Sequence, residues 1–168
     1  VLSRLPATLE LAFFAVTIAL TLGVLFAVAS VYWRGRWPES LADGFSGLAL
    51  AIPDFLWGLI FILVLGVLIP VMPISGRLDP SLEFNPITQF FFIESLLRGE
   101  FRVFASLISH LVLPALALAL PLAAMIARVL KNSLIEAMDQ DYILLARVKG
   151  FTRSRIIWRE ALRNALIP

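Results

Sequence analysis

Cysteine is absent from the 168 residues, which excludes a disulfide scaffold, a thiolate metal site and a catalytic thiol in this stretch. Histidine occurs once, at His110, without the second His, the Cys or the H-x-x-x-H pattern that a metal centre needs. Lysine occurs only at Lys131 and Lys149, and neither follows glycine. A P-loop needs Gly-Lys-Ser/Thr so that backbone amides and lysine cradle phosphates, so this chain does not hydrolyse ATP by that route. No Ser/His/acid grouping stands out either, and no residue is assigned a catalytic role. Charge is scarce as well: Asp, Glu, Lys and Arg together make up 15%, against about 25% in soluble domains.

What is present is apolar. Hydrophobic residues reach 60% and the mean hydropathy is +0.92. A core of this size cannot enclose so much apolar surface, so the excess requires lipid. Uncharged runs cover Leu11–Trp33 (23 residues), Phe55–Gly76 (22) and Val103–Ala127 (25). About 20 helical residues cross a bilayer core of about 30 Å, so each run is long enough. The expected fold is an all-α membrane protein, a polytopic helical bundle with three transmembrane spans at about 8–33, 45–74 and 105–130. The first run is too long for a signal-peptide core, and Glu10 stands at its entrance. Neither end reads as natural: Val1 is no start, and Asn164 to Pro168 resembles the entry to another helix, as in a fragment of a larger membrane subunit.

Basic residues set the expected direction. The loop Tyr32–Leu41 and the stretch Arg128–Pro168 hold ten of the fourteen, whereas Arg4, Arg77, Arg98 and Arg102 make up the rest. By the positive-inside rule the loop and the tail are cytoplasmic, and the amino end and the loop from Arg77 to Arg102 are outside. That outer loop carries a Pro/Asp/Asn turn cluster, followed by the interfacial run Phe90, Phe91, Phe92 and Ile93.

Small residues recur every fourth position in two spans: Ala15, Ala19, Gly23 and Ala27 in the first, Ala115, Ala119, Ala123 and Ala127 in the third. Such stripes let helix backbones approach closely in lipid, which makes them the expected packing faces. Pro53, Pro114 and Pro121 predict kinks. Glu10 and Asp54 sit at span edges, within reach of water or a neighbouring Arg, and His110 reads as a packing residue or cavity liner.

The tail carries more information. A helical pattern over Tyr142 to Lys149 stops at Gly150, and glycine after two cations is a helix C-terminal signal. Thr152 or Ser154 can cap a second helix over 153–165, with Arg155, Arg159 and Arg163 on one stripe and Ile157, Trp158, Ala161, Leu162 and Ala165 elsewhere. That second helix alone suits a membrane interface, with Trp158 at headgroup depth. The first helix and its glycine turn place Asp141, Tyr142, Arg147 and Lys149 on a knob suited to a protein partner.

The stretch Asp141-Tyr142-Ile-Leu-Leu-Ala146-Arg147-Val-Lys149-Gly150, followed by Ala161-Leu162-Arg163-Asn164-Ala165-Leu-Ile-Pro168, resembles the "EAA loop" of ABC-type import permeases, in detail the dipeptide/oligopeptide branch. Leu5-Pro6-Ala7-Thr8, Ile52-Pro53-Asp54-Phe55, Ile74-Ser75-Gly76 and His110-Leu-Val-Leu-Pro114 agree in order. Three positions depart from the broad family: Leu144 and Leu145 stand in place of the Glu and first Ala of Glu-Ala-Ala, ahead of a matching Ala146, and Arg163 stands in place of Pro after Leu162. The peptide branch commonly lacks that Glu and that Pro.

The resemblance implies a permease subunit in the cytoplasmic (inner) membrane, with a cytoplasmic coupling loop at about 136–165. Its partners would be a second permease subunit, two cytoplasmic ATPase subunits and an extracytoplasmic solute-binding protein, with no nucleic acid. It also implies that ATP and Mg are held by the ATPases and no cofactor by this chain. Asp141, Tyr142, Ala146, Arg147, Lys149 and Gly150 would couple to the ATPase, Ala146 and Gly150 by permitting close approach. Peptide, nickel-chelate, glutathione and opine importers share the scaffold. A secondary transporter or channel segment, or a membrane anchor docking a soluble protein, are the rival readings.

Overall fold

The computed structural model describes residues 4–166, and every regular element among them is helical. In chain order these are α1 (Leu5–Tyr32), α2 (Trp37–Ala51), α3 (Asp54–Phe61), α4 (Phe91–Leu97), α5 (Phe101–Met138), α6 (Asp141–Val148), α7 (Arg153–Arg155) and α8 (Leu162–Ala165). Two stretches of π turns intervene, Ile62–Leu68 after α3 and Ile156–Ala161 between α7 and α8.

Two helices, α1 and α5, are long and apolar enough to cross a membrane. The expected span over 45–74 is not one helix. It counts as a crossing only if α2 and α3 with its π extension are taken as a bent pair. The cause is local: Pro53 has no N–H to donate and its ring crowds the residue before it, and Ile52 is accordingly extended (φ −95, ψ 124). The expected kinks at Pro114 and Pro121 do not end α5, which runs unbroken from Phe101 to Met138.

The chain packs as two compact units. The first comprises Val1–Ile18 and Pro53–Leu120. Its core includes Trp57, Val103, Leu107 and Leu113, and Phe92 meets Phe14 edge-on and Phe104 at ring-centroid distances of 4.7 Å each. A polar clasp ties its loop to α1. Glu10 is 7% exposed, and its carboxylate accepts from Arg77 Nη2 at 2.6 Å and from the Phe92 amide at 2.9 Å. Arg77 also donates to the Gln89 carbonyl (3.0 Å) and lies 3.8 Å over the Phe91 ring. A buried carboxylate of this kind is tolerable because its charge and both oxygens are satisfied.

Glu94 gathers the same loop from α4. It accepts from the Ile87 amide (2.9 Å), from the Thr88 amide and hydroxyl (3.2 Å each), and from Arg98. The Ile87 amide, helped by Thr88 and Arg98, holds its pKa below the ordinary 4.5. His110 Nδ1 donates to the Ser106 carbonyl at 2.7 Å, so the ring is satisfied inside α5.

The second unit comprises Ala19–Ile52 and Pro121–Pro168. Its core joins Ala27, Val28 and Val31 of α1, Leu130, Leu134 and Ala137 of α5, Ile143 and Ala146 of α6, and Ile156, Ile157 and Ala161. Lys131 of α5 ties α2 to this unit, 2.7 Å from both Glu39 and Asp43. All eight stripe residues, from Ala15 to Ala27 and from Ala115 to Ala127, are buried. At Gly23 the approach is close: a Cβ there would meet Ile126 Cγ2 at 2.7 Å.

Candidate coupling site

α6 is a helix of eight residues, too short to persist alone in water, so its order comes from one buried face and a well-made C-terminal end. The buried face is Ile143 and Ala146, three residues apart and thus one above the other. Both enter the second unit's core beside Leu134 and Ile157.

The C-terminal end is a Schellman motif. The Phe151 amide bonds the Ala146 carbonyl (3.1 Å) and the Gly150 amide bonds the Arg147 carbonyl (2.9 Å), with Gly150 at φ +75. Phe151 packs against the core that holds Ala146, the apolar contact that accompanies this motif. Chain direction then reverses into α7, where Thr152 Oγ1 caps by accepting from the Arg155 amide at 3.4 Å. Of the two caps offered by the sequence, Thr152 takes the role.

Arg153 locks the reversal. Its guanidinium donates to the Val31 carbonyl (3.1 Å) near the end of α1, where helix carbonyls lack partners, and lies 5.6 Å from the Tyr32 ring centroid. Arg155 stacks 4.0 Å over Phe151. In the π turns the buried residues Ile156 and Ala161 are five apart, matching the i→i+5 repeat. Arg155, Arg159 and Arg163 remain exposed together, and Trp158, 47% exposed, joins them.

The residues singled out in sequence thus divide. Asp141, Arg147, Lys149 and Gly150 are exposed. Ala146 is buried inside the chain's own core, so its small size serves the seating of α6. Around Gly150 there is open space for a Cβ, and its glycine is required by the positive φ. Tyr142 is half-buried, and its hydroxyl is buried without a hydrogen-bond partner among the described residues. Ile167 and Pro168 of the second motif lie outside the described residues.

Sequence reasoning missed the apolar half of this surface. Leu144 and Leu145 are about 60% exposed and Val148 is 80% exposed, all beside Arg147 and Lys149. The signal was available: apolar residues cover more of α6 than the one face a short helix can bury. A rigid knob showing Leu, Leu, Val and two cations has the composition of a docking surface rather than of a solvated helix.

A family of binding-protein-dependent transport system inner membrane components matches residues 19–168. The chain belongs to that family. It is therefore a multi-pass inner-membrane permease component, with α1 and α5 as its apolar crossings. Similar proteins include the di/tripeptide transport system permease of Pseudomonas aeruginosa (strain UCBPP-PA14), 40% identical over 99% of this chain and 50% of that protein. The probable D,D-dipeptide transport system permease of Escherichia coli (strain K12) is 37% identical over 97% of this chain and 48% of its own length. The putrescine export system permease of the same strain is 32% identical over 97% and 52%. The chain spans about half the length of the curated relatives it matches.

Proposed function

We propose that this chain is the coupling half of a permease subunit in an ATP-driven importer of dipeptides and oligopeptides. The spans form part of the translocation path, and α6 is the cytoplasmic lever gripped by a separate ATPase. ATP and Mg stay on two ATPase subunits; a second permease subunit and an external solute-binding protein complete the assembly. ATP and the loaded binding protein then shift a two-state population by their differential affinity for its states. The eight small residues are the faces along which helices slide.

The observation that carries this reading is the Schellman-ended α6, seated on the core by Ile143 and Ala146 with Leu144, Leu145 and Val148 facing out. An interfacial helix explains the Arg155–Arg163 stripe but not a separate capped knob. The peptide cargo is supported by relatives named for dipeptides; the putrescine-named relative supports a polyamine as the second reading.

The test uses the full-length subunit, co-reconstituted with its partners. Gly150→Val should abolish substrate-stimulated ATP hydrolysis while membrane insertion is unchanged. Gly150→Asn should retain most of it, because Asn tolerates the left-handed region whereas a β-branched side chain there costs about 1–2 kcal/mol or more. Normal coupling in the Val variant overturns the lever. Uptake of a labelled dipeptide against labelled putrescine decides the cargo.

A further inference from the structure

The first unit carries an open crevice of about 420 Å³ that the coupling site does not use. One wall is Asp54 and Gly58 of α3 with Ile62 of the π stretch that follows, spaced by four; the opposite wall is Leu113, Pro114 and Ala117 of α5. Ser75 contributes the other polar side chain, and Asp54 is the sole ionisable residue in the lining. Asp54 Oδ1 accepts from the Phe55 amide at 2.8 Å, and no described residue engages Oδ2. The lining is thus an apolar crevice with one exposed carboxylate at its edge, and with no cation of its own.

We infer that this cavity is a transit site for the amino-terminal residue of a short peptide, its α-ammonium held at Asp54 and its apolar side chain lying between Gly58 and Ala117. The inference rests on the peptide-import reading. Charge selects the occupant: a lone carboxylate among apolar groups matches one ammonium. A divalent cation would need further ligands, and no metal-binding group of His, Asp and Glu occurs among the described residues. A diamine would satisfy Asp54 but leave the apolar walls uncovered. A single charge pair in a partly wet crevice also holds cargo weakly enough to release it, as a transit site must.

Gly58 sets the room available. A Cβ there would sit 3.7 Å from the Ala117 Cβ, an ordinary contact, so a larger side chain would extend into the cavity without a backbone clash.

The experiment measures uptake of labelled leucyl-leucine and glycyl-glycine by the full transporter in proteoliposomes, with one binding protein held constant so that its own preference cancels. Gly58→Leu should lower leucyl-leucine uptake at least about fivefold relative to glycyl-glycine, the discrimination a filled apolar pocket provides. Asp54→Asn should lower both about tenfold through a lost charge-assisted bond, and Asp54→Glu should recover most of it. If Gly58→Leu lowers both peptides equally, or Asp54→Asn lowers neither, the site is refuted while peptide import stands. If the wild-type transporter imports neither peptide but imports putrescine, the peptide-import reading itself has failed.

Discussion

Tyr142 shows how much one atom can decide. Its ring packs against the second unit's core, yet its hydroxyl is buried with no partner among the described residues. An unsatisfied buried hydroxyl costs about 1–3 kcal/mol. Tyr142→Phe is therefore expected to raise the thermal stability of the purified full-length subunit, by about 1 kcal/mol. A loss of that size instead would mean that the hydroxyl bonds to a part of the protein beyond these residues. In sequence, the family resemblance makes Tyr142 a polar or stacking contact to an ATPase. Burial of its oxygen depends on how the second unit's core closes, and no local pattern encodes that. Gly150 was legible for the opposite reason: a Schellman end is built from near neighbours, so glycine after Arg147 and Lys149 announces it.

Elements differ in the same way. The two long crossings could be read from hydropathy because lipid demands about 20 apolar residues in a row. The middle stretch satisfies the same demand by composition, and the kink expected at Pro53 is there as a full break between α2 and α3. Four-residue stripes were legible, and their consequence can be tested at Gly23. A methyl there lies 2.7 Å from Ile126 Cγ2, so Gly23→Ala is expected to destabilise the subunit by about 1–3 kcal/mol. Ile126→Ala in the same chain should restore part of that loss, and additive losses in a double-mutant cycle would refute direct contact.

The loop between Arg77 and Arg98 is gathered by the carboxylates of Glu10 and Glu94. Glu94 has a folded pKa below 4.5, held down first by the Ile87 amide. A depressed acid contributes stability that is present above its unfolded pKa and is lost as pH falls through the folded one. Proteolysis of the loop in right-side-out vesicles should therefore rise as pH falls below about 4.5. Glu94→Gln should raise it at neutral pH. Protection independent of both would remove Glu94 from the clasp.

Across the whole molecule, the strongest constraint is which end of each unit faces the cytosol. The proposed function needs α6 inside and the clasped loop outside, and the excess of arginine in the tail is the sequence reason to expect it. The absence of cysteine gives a clean background within these residues for testing it. Val148 is 80% exposed and Ile87 is 84% exposed, so a thiol at either should be reached from its own side. Val148→Cys is expected to react with a membrane-impermeant maleimide only in inverted vesicles, and Ile87→Cys only in right-side-out ones. Adding the ATPase subunits should slow labelling at Val148→Cys, since docking on Leu145, Arg147 and Val148 covers that thiol. Labelling of both sites from one face would place α6 and the loop together and leave no lever for an ATPase to move.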